Sequence, residues 1–91
     1  MKSANLYFVS ACVAYGARII DTINNNGRVT FELSDCPEKV QVQVPNSEKI
    51  VDVEYMSSFD DLFLLFSSKK LWFPPNYPST IQDVKSLIYA R

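Results

Sequence analysis

The side chains able to do chemistry are few and scattered. Cys12 and Cys36 are the two cysteines; they make no C-x-x-C pair, and two thiols alone cannot complete a tetrahedral metal site. A bridge between them is open on sequence grounds, with two reduced thiols as the plainer reading. Histidine is absent, which removes the commonest general base and the commonest zinc ligand. The carboxylates that group are Asp60-Asp61, Asp21, and Asp52 with Glu54. Consecutive aspartates behind Ser58 are what the positive end of a helix dipole favours, and no loop strings together the oxygen ligands that Ca²⁺ or Mg²⁺ requires. Two glycines in the whole chain are too few for a phosphate-cradling loop or a dinucleotide fingerprint, and no nucleophile elbow occurs. The chain therefore reads as non-enzymatic, with no catalytic residue, metal or cofactor assigned.

Binding is the chemistry that remains. Lys69 and Lys70 precede Leu71-Trp72-Phe73, and Tyr77 follows among Pro74, Pro75 and Pro78. A basic pair beside aromatics can hold a phosphate and stack a base, and Arg18 and Arg28 would extend that reading. Against it, nine Lys and Arg face ten Asp and Glu, for a net charge of −1, so there is no global positive field to collect nucleic acid. Stiff aromatics on a proline-rich segment are also the residue types that dominate protein interfaces. A protein partner is the first reading and nucleic acid the second. Trp72 stands evenly between an exposed binding residue and a core plug.

Residues 59–66 strengthen the protein-partner reading. Phe59, Leu62, Phe63 and Phe66 fall on one helical face, while Leu64 and Leu65 lie on the flanks opposite. A helix apolar nearly all round is more than a small domain covers by itself, so part of it is expected to meet another chain, most simply as a homodimer. The candidate partner-binding residues are Leu64, Leu65, Lys69, Lys70, Trp72, Phe73 and Tyr77.

The elements that must position them follow from pattern. The chain has 91 residues, 47% of them hydrophobic, enough for one domain spanning 1–91 with its own core. Ser3 is expected to cap a first helix whose stripe is Leu6, Val9, Cys12 and Val13, with Phe8 at its edge and Gly16 closing it. Residues 18–23 and 28–33 flank Asn24-Asn25-Asn26-Gly27, a hairpin signal. A strict two-residue turn there would set Asp21 against Glu32, so a longer loop or a bulge is expected. Val40, Val42 and Val44, then Val51, Val53 and Tyr55, alternate as two further strands. Ser58 caps the helix of residues 59–68, Pro74, Pro75 and Pro78 interrupt regular structure, and Ser79-x-x-Gln82 opens a last helix as a capping box. The fold class is α+β: a small antiparallel sheet of three to four strands, with the N-terminal helix and two C-terminal helices packed on one face.

The apolar run of residues 6–15 follows a single lysine and reads as a structural helix rather than a secretion signal. No run approaches the ~18 apolar residues of a membrane span, so a cytoplasmic protein without membrane attachment is expected.

Leu6-Tyr7 with Ala11 and Gly16, the hairpin Gly27-Arg28-Val29-Thr30-Phe31-Glu32, and the ending Val84-Lys85-Ser86-Leu87-Ile88-Tyr89 resemble a family of small uncharacterised domains of bacteria and their phages. That family's pattern is a short helix closed by glycine, a hairpin, and a C-terminal helix with a Leu-Lys-x-x-Ile-Tyr-like signature. Residues 37–72 depart from it, since a short helix stands in the family where this chain has Val40 to Val44. The resemblance implies a phage or mobile-element setting but no known activity; joined to the absence of catalytic groups, the acidic balance and the surplus apolar surface, it leads to the expectation of an accessory or inhibitor protein acting on a host or viral partner. It transfers no catalytic residue.

Overall fold

Asn5, not Ser3, caps the first helix. In the computed structural model, which describes residues 1–44, 46–54 and 58–89, helix α1 (Leu6–Ala14) begins where the Asn5 side-chain oxygen accepts the backbone N–H groups of Tyr7 and Phe8 at 3.1 and 3.2 Å. Ser3 belongs instead to a two-residue strand β1 (Lys2–Ser3), too short to show a period in the sequence. At the other end Gly16 has φ 113°, the left-handed conformation that a glycine supplies without steric cost. Phe8, Val9, Ser10, Ala11 and Cys12 are all buried, so α1 is a central helix and Phe8 a core residue rather than the edge of a stripe. Ser10 is tolerated there because its hydroxyl donates to the Leu6 carbonyl at 2.7 Å.

Strands β2 (Arg18–Asn25) and β3 (Arg28–Ser34) form the expected hairpin. Its turn is the strict two-residue kind: Asn26 and Gly27 have φ 56° and 85°, and Asn25 faces Arg28, which fits the primed turns that match strand twist. Asp21 consequently does face Glu32, and the bulge lies beyond that pair, between Ile19 and Asp21. Two local facts ease the like-charge pair. Lys2 of β1 faces Glu32 from the other side, and the Asp21 carboxylate turns back to accept the Thr22 N–H at 2.8 Å.

The strands divide into two antiparallel sheets, one ordered β1-β3-β2 and the other pairing β4 (Lys39–Gln43) with β5 (Ile50–Glu54). Tyr55, expected to end the last strand, lies outside the described residues. Helix α2 (Phe59–Ser67) starts as the sequence predicts, with the Ser58 hydroxyl accepting the Asp61 N–H at 3.3 Å. Helix α3 (Tyr77–Tyr89) starts before the expected capping box. Pro78 sits in its first turn, where the missing N–H has no partner to lose, and the hydroxyls of Ser79 and Thr80 both donate to the Asn76 carbonyl.

The result is an α+β fold with one N-terminal and two C-terminal helices. Phe8, Val9 and Cys12 of α1 meet Phe31 and Leu33 of β3, Val40 of β4, Leu62 of α2, Val84 of α3 and Leu71 in one buried cluster. Both cysteines are free thiols. Among the described residues no helix is long and apolar enough to cross a membrane.

Candidate protein-binding surface

Helical periodicity decides what α2 shows. Leu62 is fully buried, Phe59, Leu65 and Phe66 are half-buried against the core, and Phe63 and Leu64 remain 41% and 66% exposed. Leu64 therefore points outward as the sequence predicts. Leu65 does not: it packs on the core, so the outward flank is narrower than the composition of the helix suggests.

The aromatic rings of three segments meet beside this flank. Phe63 sets its edge against buried Phe8, with centroids 5.1 Å apart and planes at 89°. Phe66 lies 5.5 Å from Phe8 and 6.2 Å from Phe73, the second contact T-shaped. Phe73 stacks on Tyr77 at 4.5 Å, and the Tyr77 hydroxyl donates to the Tyr7 carbonyl at 3.1 Å. Such contacts contribute roughly 0.5–1.5 kcal/mol each beyond the area they bury. The outcome is a band of Phe63, Phe66, Phe73 and Tyr77, tied to α1 by the rings' contact with Phe8 and by the Tyr7 carbonyl. Phe73 is 40% exposed and Tyr7 55%. Tyr7 and Phe63 escape sequence reasoning as surface residues, because their exposure depends on where α3 and the proline segment dock.

The backbone leading into this band is held by hydrogen bonds. Lys69, at φ 61°, turns the chain out of α2, and the N–H groups of Lys70 and Leu71 both donate to the Leu65 carbonyl. Residues 70–72 then run beside β4 as a strand would: Gln43 N–H donates to Lys70 at 2.9 Å, Trp72 N–H donates to Gln41 at 2.8 Å, and Val42 faces Leu71. Where the reciprocal bond from Gln41 to Trp72 would fall, the Tyr15 hydroxyl is interposed. It accepts the Gln41 N–H at 3.3 Å and donates to the Trp72 carbonyl. Strand alternation sends Leu71 into the core, 4% exposed, and leaves Trp72 half-buried. Leu71 is the plug of this segment and Phe73 its exposed aromatic.

The basic residues are not brought together. Arg18 and Arg28 stand at opposite ends of the β2–β3 ladder, seven strand residues or about 23 Å apart, and the Arg18 guanidinium lies 4.0 Å from the Asp35 carboxylate. Lys69 and Lys70 are exposed and line a shallow cleft of about 410 Å³ with Gln43, Val44, Asn46, Ser47 and Ser68. They sit at the carboxyl end of α2, whose dipole is negative and offsets their charge.

Burial pushes the Cys12 thiol up to about 12, with Cys36 nearby adding to the effect. Burial also raises Cys36, Tyr15 and Tyr77 above their ordinary values. Protonated thiols of this kind are poor nucleophiles. Among the described residues no three His, Cys, Asp or Glu side chains come together as a metal site. Comparison with protein-family models, curated proteins and solved structures finds no match to this chain.

Proposed function

We propose that this chain is a non-enzymatic protein-binding module that presents Phe63, Phe73 and Tyr77 of the aromatic band, together with the exposed Tyr7, to a partner protein. It acts by occupying the partner's surface, as an accessory or inhibitor protein does, in the phage or mobile-element setting implied by the family resemblance. The observation that carries this reading is an exposed aromatic band fixed in place from α1, α2 and the proline segment. Large rings already held rigid lose little conformational entropy on contact and make the commonest binding anchors. The nucleic-acid alternative has less support, because Arg18 and Arg28 stand at opposite ends of the β2–β3 ladder rather than in one basic patch and the chain has no net positive charge.

Selection of binders from a random displayed-peptide library tests the proposal. Peptides enriched on the wild-type protein are expected to lose about 30-fold in affinity, about 2 kcal/mol, with Phe73→Ala. The melting temperature should fall by several degrees with the lost contacts to Phe66 and Tyr77, so affinity is measured well below it, on folded protein. Peptide binding indifferent to both Phe73→Ala and Tyr7→Ala would reject the band as the binding surface. Binding to single-stranded DNA that weakens steeply with salt would favour the alternative.

A further inference from the structure

The charges that flank α2 stand in an order along the chain that is its own complement. Asp60 is exposed at the amino end, Lys69 and Lys70 are exposed just past the carboxyl end, and Leu64, the most exposed large apolar residue of the helix at 66%, lies midway. From Asp60 to Lys70 the midpoint is residue 65, and from Asp60 to Lys69 it falls between 64 and 65. A second copy laid antiparallel across this helix by a two-fold axis level with residue 65, one position past Leu64, therefore brings each Asp60 to the other's Lys70. The same operation sets Phe63, 41% exposed, against Ser67. Ser67 is small and exposed, and its hydroxyl is turned onto the Phe63 carbonyl of its own helix at 2.8 Å, so a bulky ring meets a low point. A parallel arrangement would put like charges together. A partner carrying one sign of charge would satisfy only half the surface.

We infer that the occupant of this face is a second copy of the chain, in a two-fold dimer built on antiparallel α2 helices with Leu64 beside the axis. A nine-residue helix is about 14 Å long, so the contact is small and belongs to the weak, reversible class of interfaces. The inference shares Phe63 with the protein-partner reading, whereas Leu64, Asp60 and the lysine pair belong to the dimer alone, so variants at those positions test it separately.

Analytical ultracentrifugation of the full chain from about 1 µM to 1 mM, a span chosen for weak complexes, tests the inference. Association should be seen within that range and should weaken with added salt. Leu64→Asp should weaken it by at least about tenfold with unchanged helical circular dichroism. Asp60→Lys alone and the double variant Lys69→Glu/Lys70→Glu should each self-associate more weakly than wild type. Mixed one to one, those two variants should form a heterodimer of near wild-type affinity, because both charged junctions are then attractive. A monomer at the highest concentration, a dimer untouched by Leu64→Asp, or a mixture no tighter than either charge variant alone would each overturn the inference.

Discussion

Cys12 shows how much a single position in α1 is constrained. Its thiol is fully buried in the cluster of Phe8, Val9 and Leu62, where the protein cannot solvate a thiolate. The folded chain therefore holds the Cys12 proton up to about 12, whereas its unperturbed value is 9.0. Below that unperturbed value both states are protonated and the preference for the neutral thiol contributes in full. As pH rises from about 9 to about 12 the unfolded chain releases the proton and the folded chain does not, so unfolding free energy falls across that window. Tyr15 and Tyr77, also raised by burial, add to the decline in the same direction at its alkaline end. Urea denaturation at a series of pH values should show this slope, and Cys12→Ala should flatten its first part. Equal slopes in the two proteins would mean the thiol is not its source. At neutral pH a thiol reagent should reach Cys36, which is half-buried, well before Cys12.

Elements whose signals are local are legible from the sequence, and those fixed by distant partners are not. Ser58 caps α2 and Gly16 ends α1 because a hydroxyl oxygen and a missing Cβ act on their immediate neighbours. The Asn26-Gly27 turn is legible for the same reason. The segment of residues 70–72 is different: in the sequence it is an irregular stretch between the helix of residues 59–68 and the prolines, and it becomes strand-like only because Gln41 and Gln43, some thirty residues earlier, offer an open edge. The aromatic band is hidden in the same way. Its contacts join Tyr7, Phe63, Phe73 and Tyr77, positions whose proximity is set by the docking of α3 on α1. The start of α1 is an intermediate case, because Ser3 and Asn5 are both good caps and only the pairing of β1 with β3 removes Ser3 from the contest. Asn5→Ala should accordingly cost about 1 kcal/mol by loss of the cap, measured by chemical denaturation. Ser3→Ala should cost distinctly less, since Ser3 contributes a single bond from the Asn5 N–H at 3.2 Å. A larger loss at Ser3 would place the cap where the sequence alone puts it.

The molecule measures 42 × 24 × 19 Å, more than twice as long as it is thick, and its two sheets share no ladder. Among the described residues, β4 and β5 are tied to the rest by Val40 and Leu71 in the core, the backbone bonds to residues 70–72, and the Tyr15 hydroxyl. On β5, Ile50 and Val51 are 42% and 43% exposed, so these two side chains add little apolar burial. Regions with few buried contacts open at lower free energy than the core that surrounds them. Native-state hydrogen exchange should therefore resolve two levels, with the amides of α1 and β3 exchanging only through global unfolding and those of β4 and β5 through a smaller opening. Tyr15→Phe sharpens the test, because it leaves the Gln41 N–H and the Trp72 carbonyl without the hydroxyl between them. An unsatisfied pair of this kind costs about 1–3 kcal/mol, and the loss should be read chiefly at Gln41 and its neighbours in β4, with α1 and β3 changed only by the fall in global stability. If every protected amide in the wild type exchanges at one common free energy, the two sheets unfold as one unit and the Tyr15 hydroxyl is not the joint between them.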